Sequence, residues 1–339
     1  MRRTRRQCGG VATLAALTLL VLTGCENDQQ SVLDPVSHPA RDIASLWWWM
    51  LAGAVVIFLG AVALLGLAWA RRKRSGLPVF GDNEGIARGL VVVFGILIPI
   101  ATLIALYTIG NILVLPVTQA PAAGSTSLTV QVVGHQWWWE VRYPGTNAVT
   151  ANEIHIPVST RVLLVGRSAD VIHSFWAPNL NRKIDVIPGR ENQILLYSDR
   201  PGRYRAQCSE FCGVQHAHMS LYVYVEPKAE FEDWLDRVSQ PASAPAGTEA
   251  EQGRKLFASM PCAGCHTIRG TSAAGSLGPD LTHVASRETL AALTIPNDPD
   301  YLAGWIADPQ HYKPGNRMPG LDLDDSELQA LVAYLEGLE

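Results

Sequence analysis

Cys208-Ser209-Glu210-Phe211-Cys212-Gly213-Val214-Gln215-His216-Ala217-His218-Met219 packs two thiols, an imidazole and a thioether into one short stretch. Thiolate and thioether are soft ligands that suit copper, and imidazole suits it as well. A mononuclear copper centre of the electron-transfer kind takes one Cys, two His and a weak axial Met. The second cysteine therefore makes room for a second metal, with both sulfurs able to bridge. A bare Cys208–Cys212 disulfide would need neither His216 nor Met219 at these offsets. Around this stretch lie short β-rich runs punctuated by Gly and Pro, at residues 127–134, 137–143, 153–157, 161–167, 193–198, 202–207 and 221–225. That spacing predicts an all-β sandwich or barrel over about residues 125–238, closed by a short helix at 229–238.

Cys262-Ala263-Gly264-Cys265-His266 is the second chemical signal. C-x-x-C-H is the attachment motif of c-type haem, in which two thiols bond the vinyl groups and the adjacent His becomes an iron ligand. A zinc site would need a partner C-x-x-C or H-x-x-x-H pair, and none lies nearby. The sixth iron ligand should be a Met or His further along. Met318 in Gly315-Asn316-Arg317-Met318-Pro319 resembles the Met loop of small bacterial cytochromes c, and its Gly and Pro favour a loop over a helix. His283 and His311 are rivals on spacing alone. From residue 248 the pattern is helical. Thr248-Glu249-Ala250-Glu251 reads as a capped helix start running to Phe257. Leu328, Leu331, Val332 and Leu335 form an apolar stripe on a terminal helix. The Pro- and Ala-rich stretch 239–247 reads as a semi-extended linker between the β domain and a helical domain at 248–339.

Residues 1–24 have a basic start (Arg2, Arg3, Arg5, Arg6) and an apolar run too short for a comfortable membrane span, the form of an export signal. Leu22-Thr23-Gly24-Cys25 resembles a bacterial lipobox, which implies cleavage before Cys25 and a lipid on its thiol. Residues 25–45 then read as an exported tail, polar and loose up to Arg41. Two apolar runs, about 46–69 and 89–115 within a hairpin at 46–117, are each long enough to cross about 30 Å of hydrocarbon. Arg71-Arg72-Lys73-Arg74 lies between them, and the positive-inside rule places it in the cytoplasm, with everything after the second helix outside. Pro99 predicts a kink in the second helix, its freed carbonyl satisfied by a neighbouring helix. Cys8 and Cys25 fall in the export region, so the other four of the six cysteines suffice for copper and haem, with no pair left for a structural disulfide. The formal charge is −4, and residues 249–339 hold thirteen acids against six bases. That balance argues against nucleic acid as a partner. It also shows no basic docking patch, which predicts that a haem domain on so short a tether meets the copper by intramolecular encounter.

C-S-E-x-C-G-x-x-H-x-x-M resembles the dinuclear copper A signature of subunit II of haem-copper cytochrome c oxidases. The haem segment makes the chain similar to the caa3-type members, in which a cytochrome c domain is fused to subunit II. The resemblance implies a multidomain membrane protein: a two-helix transmembrane hairpin, an all-β cupredoxin-like Greek-key domain and an all-α class-I cytochrome c domain. It implies Cys208 and Cys212 as bridging ligands, His173 and His216 as caps on one copper each, Met219 as a weak ligand, and Glu210 as a donor through its carbonyl. It also implies a Mg2+ or Mn2+ shared with subunit I and reached by the Glu210 side chain. Haem c would be held by Cys262 and Cys265, with His266 and Met318 axial. His218 has no ligand role in the pattern. Gly134-His135-Gln136-Trp137-Trp138-Trp139-Glu140 resembles the aromatic segment over copper A, with Trp137 as the electron-receiving residue. On a strand Trp137 and Trp139 would share one face. Asp185 and Arg190 fall in a segment that faces subunit I in the family.

The implied activity is that of a cytochrome c oxidase, proton-translocating and oxygen-reducing, with the oxygen site on another chain. The implied partners are subunits I and III, an upstream cytochrome or quinol:cytochrome c reductase as donor, and membrane lipid. The implied place is the bacterial cytoplasmic membrane, spanned more than once, with both redox domains on the periplasmic side. An electron-input subunit of a copper A nitric oxide reductase, or a free-standing membrane electron carrier, are the alternatives. One departure stands out. Many family members carry a Glu shortly before the proline of the second helix, whereas here Val91 to Ile98 holds no acid and Glu84 is the nearest.

Overall fold

The computed structural model describes residues 30–71 and 84–339. The expected signal at 1–24, the expected lipidation site Cys25 and the basic residues Arg72, Lys73 and Arg74 lie outside those residues.

Helix α1 (His38–Arg71) has 34 residues. At about 1.5 Å per residue it is about 50 Å long, well beyond about 30 Å of hydrocarbon. Its surplus lies at the N-terminal end, where Ala40 and Ala44 are buried. The preceding segment is not loose. Val36 is buried, its N–H donates to Asn179 O at 3.0 Å, and its carbonyl accepts from Asp199 N at 3.1 Å. Asp34 pairs with Arg200 at 2.6 Å and Arg41 with Asp199 at 2.7 Å. The polar composition that suggested a solvated tail instead supplies charges complementary to the β domain, while Val36, Ala40 and Ala44 are the apolar contacts hidden among them.

Helix α2 spans residues 84–118 and is not uniform. α-Helical Glu84–Val92, Ile98–Ile109 and Leu115–Thr118 are separated by π turns at Val93–Leu97 and Gly110–Val114. Proline has no N–H, and its ring presses on the carbonyl four residues back. A wide π turn takes up that mismatch inside the helix. One such turn directly precedes the segment holding Pro99 and the other the segment holding Pro116. Glu84 opens the helix in an exposed ion pair with Arg88 at 2.8 Å.

The β domain is a sandwich of two five-stranded sheets. One has the order β3 (Val149–Ala151), β2 (Trp138–Arg142), β1 (Leu128–His135), β5 (Val162–Ser168), β8 (Asn192–Leu196). The other runs β4 (Glu153–Pro157), β10 (Ser220–Glu226), β9 (Gly202–Cys208), β6 (His173–Trp176), β7 (Ile184–Val186). Pairs β1–β5 and β4–β10 are parallel and the rest antiparallel, so the chain crosses repeatedly between sheets. Alternation along β1 turns Val130 and Val132 inward, where they meet Trp139, Ile154, Leu164, Phe175 and Val223 in one core. Helix α3 (Lys228–Ser239) closes the domain with Phe231, Trp234 and Val238. Strands β3, β6 and β7 were not anticipated; they have three or four residues each, too short to show alternation. Trp137 lies in the turn ahead of β2 rather than on a strand, so it does not share a strand face with Trp139.

The C-terminal domain has a separate core around Phe257, Ile268, Leu302, Ile306, Leu331 and Leu335. Its helices are α4 (Gly247–Ser259), α5 (Cys262–Cys265), α6 (Pro299–Ala307), α7 (Pro309–Tyr312) and α8 (Asp325–Glu336). Helices α4 and α8 cross at Gly253, where a Cβ would fall 1.8 Å from Ala330 O. Asp324 caps α8 with Glu327 in a reciprocal capping box. The expected cap of α4 is absent: the helix begins at Gly247, so Thr248 is already inside it, and Ala246 at the N-cap offers no side-chain acceptor. The 239–247 stretch does not behave as a free tether. Ala242 N donates to Arg269 O at 2.9 Å, Arg269 Nη1 to Ser239 O at 3.1 Å, and His283 Nε2 faces Gln240 O at 2.9 Å.

Candidate metal centre and haem site

Strand β9 ends at Cys208 and β10 begins at Ser220, so residues 209–219 form the loop between two paired strands. Cys208 N donates to Met219 O at 2.8 Å and closes the loop's base. Strand β6 lies on the other side of β9 with Phe175 opposite Cys208, which brings His173 beside the loop. Cys208 Sγ and Cys212 Sγ are 3.8 Å apart. A disulfide needs about 2.05 Å, so both thiols are free. Each sulfur has its own imidazole: His173 Nδ1 is 3.9 Å from Cys208 Sγ, and His216 Nδ1 is 3.6 Å from Cys212 Sγ. Each also has a weaker donor, Glu210 O at 3.2 Å from Cys208 and Met219 Sδ at 3.8 Å from Cys212. His173, Cys208, Cys212 and Met219 are buried, while His216 is partly open.

The donor set is poised for metal. His173 Nε2 lies 2.8 Å from Asp170 Oδ1, so its N–H donates to the carboxylate and Nδ1 keeps its lone pair toward the sulfurs. Burial pushes the Asp170 carboxyl up, but hydrogen bonds from His173, Val171 N and Gln136 N outweigh it and hold it at about 2. The contact with Cys212 holds the Cys208 thiol down to about 3 and raises that of Cys212. Two soft sulfurs with two imidazoles, a thioether and a carbonyl around them fit copper, and the pairing on two sides of the sulfurs fits two ions better than one. Above the loop, Trp137 Nε1 donates to Cys212 O at 3.0 Å and Gln136 Nε2 to the same carbonyl at 2.8 Å. Trp138 stacks on His135 at 4.3 Å, and Trp139 is buried beside His173 and Phe175. The Glu210 carboxylate is on the outer face, 3.6 Å from Lys183 Nζ, which is also 4.0 Å from Asp185. Arg190 is exposed in the turn after β7.

In the C-terminal domain α5 places Cys262 and Cys265 on one helical turn, both reduced. His266 Nδ1 donates to Pro279 O at 2.8 Å, which leaves Nε2 free as a ligand. Desolvation lowers the imidazole's pKa and keeps it neutral, as iron ligation requires. Gly278 packs against this ring; a Cβ there would lie 2.5 Å from His266 Cε1. Arg287 is buried and its Nε has no partner among the described residues, a fit for an anionic haem substituent. The residues thus fit a covalent haem. Met318 sits in a fixed loop, its N–H donating to Asn316 Oδ1 at 2.7 Å and its carbonyl accepting from Gln310 Nε2 at 3.0 Å. His283 is tied by both ring nitrogens to backbone carbonyls, Glu339 O at 2.6 Å and Gln240 O at 2.9 Å. His311 is exposed against Tyr312.

The two domains meet at the copper loop. Lys313 Nζ donates to Trp137 O at 2.9 Å and His218 O at 2.7 Å, and Gln215 Nε2 donates to Pro314 O at 2.6 Å. Arg317 Nη2 donates to Gln136 Oε1 at 2.6 Å, Arg269 Nη1 to Asn147 O at 2.7 Å, and Arg203 pairs with Glu288. The expectation of no basic docking patch is thereby corrected. Arg269, Lys313 and Arg317, three of the segment's six bases, turn toward the β domain, which leaves its outer surface acidic. Asp170, Gln136 and Lys313 escaped the sequence reading. Asp170 had a signal in its place three residues before His173; Lys313 had none.

Residues 146–225 match the family model for the periplasmic domain of cytochrome c oxidase subunit II, and residues 250–339 that for cytochrome c. Cytochrome c oxidase subunit 2 of Alkalihalophilus pseudofirmus is 33% identical over 331 residues, 96% of each chain. That of Bacillus subtilis is 29% identical over 344 residues, again 96% of each. The solved periplasmic domain of subunit II from Bradyrhizobium japonicum is 32% identical, with a TM-score of 0.33, over 34% of this chain and 94% of that one. Fold and donor sets define a membrane-anchored electron-transfer chain in which a cupredoxin-like domain of the copper A class is joined to a cytochrome c domain for haem c. The chain belongs to the cytochrome c oxidase subunit 2 family.

Proposed function

We propose that this chain is subunit II of a caa3-type cytochrome c oxidase: it accepts electrons at its own haem c, passes them to a two-copper centre, and hands them to subunit I. The observation that carries this reading is the pair of buried sulfurs 3.8 Å apart, each with its own imidazole, lying under a C-x-x-C-H domain of the same chain. Cys208 and Cys212 would hold the coppers through their thiolates and His173 and His216 through their imidazoles, with Met219 and the Glu210 carbonyl as weak donors. Cys262 and Cys265 would bind haem c covalently, with His266 and Met318 as its iron ligands. When bound, the two groups would supply one-electron carriers. The protein orients and excludes water. Asp170 fixes the His173 ring, Pro279 O fixes His266, and Trp137 links the copper loop to the surface under the haem domain.

The Glu210 carboxylate, beside Lys183 and Asp185, holds a Mg2+ or Mn2+ shared with subunit I. A hollow lined by Val32, Ile43, Trp176, Pro178 and Arg182 adjoins it and suits that partner's surface. The membrane helices leave both redox domains on the outer side of a bacterial cytoplasmic membrane, with subunits I and III alongside and a cytochrome or quinol:cytochrome c reductase upstream. Cys25 carries the lipid.

Cys208→Ser tests the centre. One remaining thiolate cannot bridge two ions in this geometry. Metal analysis and EPR of the purified complex should show the two-copper signal gone and the haem c spectrum intact. Two coppers per chain retained in the variant would overturn the bridging assignment.

A further inference from the structure

Among the described residues Lys313 is the lysine in the most unusual surroundings. Its side chain is buried, with the residue 3% exposed, and among the described residues no carboxylate forms an ion pair with it. Its three N–H bonds are all directed at backbone carbonyls: Trp137 O at 2.9 Å, His218 O at 2.7 Å and Ala291 O at 2.9 Å. An ammonium has three donors and no acceptor, so the group is fully satisfied by this arrangement alone. A lysine held so without a paired carboxylate is a poor choice for stability, since desolvation opposes its charge and lowers its pKa to about 7, the Cys212 sulfur offsetting only part of this. A methionine of similar length would fill the space without that penalty. The reason for a lysine must lie in the direction of its three bonds.

Two of the acceptors are in the copper domain, and they are the two segments that flank the metal loop's outer side. Trp137 reaches Cys212 O through its indole, and His218 stands between His216 and Met219. The third acceptor is in the haem domain, at the start of Ala291-Ala292-Leu293, three successive non-glycine residues with φ of 52°, 60° and 66°. L-residues avoid that region, and the turn keeps its form only where its surroundings over-determine it. On its own strand of chain, Lys313 O accepts from Asn316 Nδ2 at 2.8 Å, and Asn316 Oδ1 accepts from Met318 N at 2.7 Å. The Lys313 side chain therefore connects the Trp137 turn, the copper loop and the strained turn, and its backbone carbonyl anchors the Met318 loop through Asn316.

We propose that Lys313 is a positioning residue for electron transfer between the two domains, setting the register of the Met318 loop on the Trp137 turn. The inference rests on the reading of the two domains as haem donor and copper acceptor, with one electron leaving haem c and the copper pair gaining it. Gln215, Arg317 and Arg269 hold the domains together around this point, while Lys313 fixes their register.

Amine acetylation of the intact oxidase complex, read by mass spectrometry, should modify Lys313 at least about tenfold more slowly than Lys228 and Lys255, whose side chains are more than half exposed. In K313M, hydrogen exchange across 136–139 and 314–318 should accelerate. Copper reduction after photoreduction of haem c should slow by about tenfold or more, because a small misplacement of reacting partners is enough for that loss. Haem and copper spectra should stay as in the parent, which a merely structural role would not ensure. If K313M does not assemble, Lys313→Gln, which keeps two donors, should show the same pattern more weakly. Labelling of Lys313 at the rate of the exposed lysines, or an unchanged transfer rate in the variant, would overturn the proposal. A wrong electron route shows differently: the parent's copper would not be reduced as haem c is oxidised, while labelling and exchange kept their pattern.

Discussion

Asp170 shows what one carboxylate does for a soft-metal site. It accepts from His173 Nε2 and Val171 N at one oxygen and from Gln136 N at the other, each within 2.8 Å. It thereby orients the ring and ties the β1–β2 turn that carries Trp137 to the ligand strand. In Asp170→Asn the amide offers one acceptor oxygen where the carboxylate offered two, so one buried donor loses its partner, at a cost of about 1–3 kcal/mol. Copper affinity should fall about 10- to 100-fold, the usual effect of removing a ligand's outer partner, measured by competition with a chelator. An affinity equal to the parent's would show that packing alone orients His173. The soft donors of the proposed centre were legible in the sequence because their chemistry is local: Cys208, Cys212, His216 and Met219 sit within twelve residues. Asp170 was not, because an acid three residues before a histidine is common and only the fold turns the two together.

The same contrast holds for whole elements. Strand β6 carries His173 yet has four residues, all but one of them buried, so it shows no alternation to read. Its pairing with β9 comes from the sandwich, not from local propensity. Helix α8 was legible because its stripe of Leu328, Leu331, Val332 and Leu335 is long enough to show a period and because Asp324 and Glu327 mark its start. What the stripe could not show is its partner. Helix α4 meets α8 at Gly253, and the 1.8 Å between a Cβ there and Ala330 O leaves no room for any side chain. Gly253→Ala should therefore force the helices apart, even though alanine is the better helix former. Overpacking of this kind costs about 1–3 kcal/mol or more, and it should appear as a lower melting temperature of the haem domain with the copper domain's transition unmoved, since their cores are separate. A haem domain as stable as the parent's would mean that the crossing can slide.

At the scale of the molecule, the sequence suggested a loose N-terminal tail and a semi-extended linker at 239–247, and the structure holds both against their neighbours. Residues 30–45 dock on the β domain through Val36, Asp34 and Arg41, so the membrane helices and the copper loop are held in one orientation. The 239–247 stretch is held by Arg269 and His283, and the haem domain rests on the Trp137 turn. Long-range polar contacts of this kind join residues far apart in sequence, and no periodicity or motif encodes them. Their consequence for electron transfer can be measured. With the receiving turn covered by the chain's own haem domain, copper reduction after a flash that reduces haem c should be first order and independent of the concentration of the complex. Added soluble cytochrome c should not accelerate it, because Trp137 O and Gln136 are already occupied by Lys313 and Arg317. Removing residues 248–339 uncovers the turn, and the copper domain should then take electrons from an external cytochrome in a second-order reaction that weakens with salt. If added cytochrome accelerates copper reduction in the intact complex, the docked arrangement is not the one that conducts, and the fused haem is a side branch of the route.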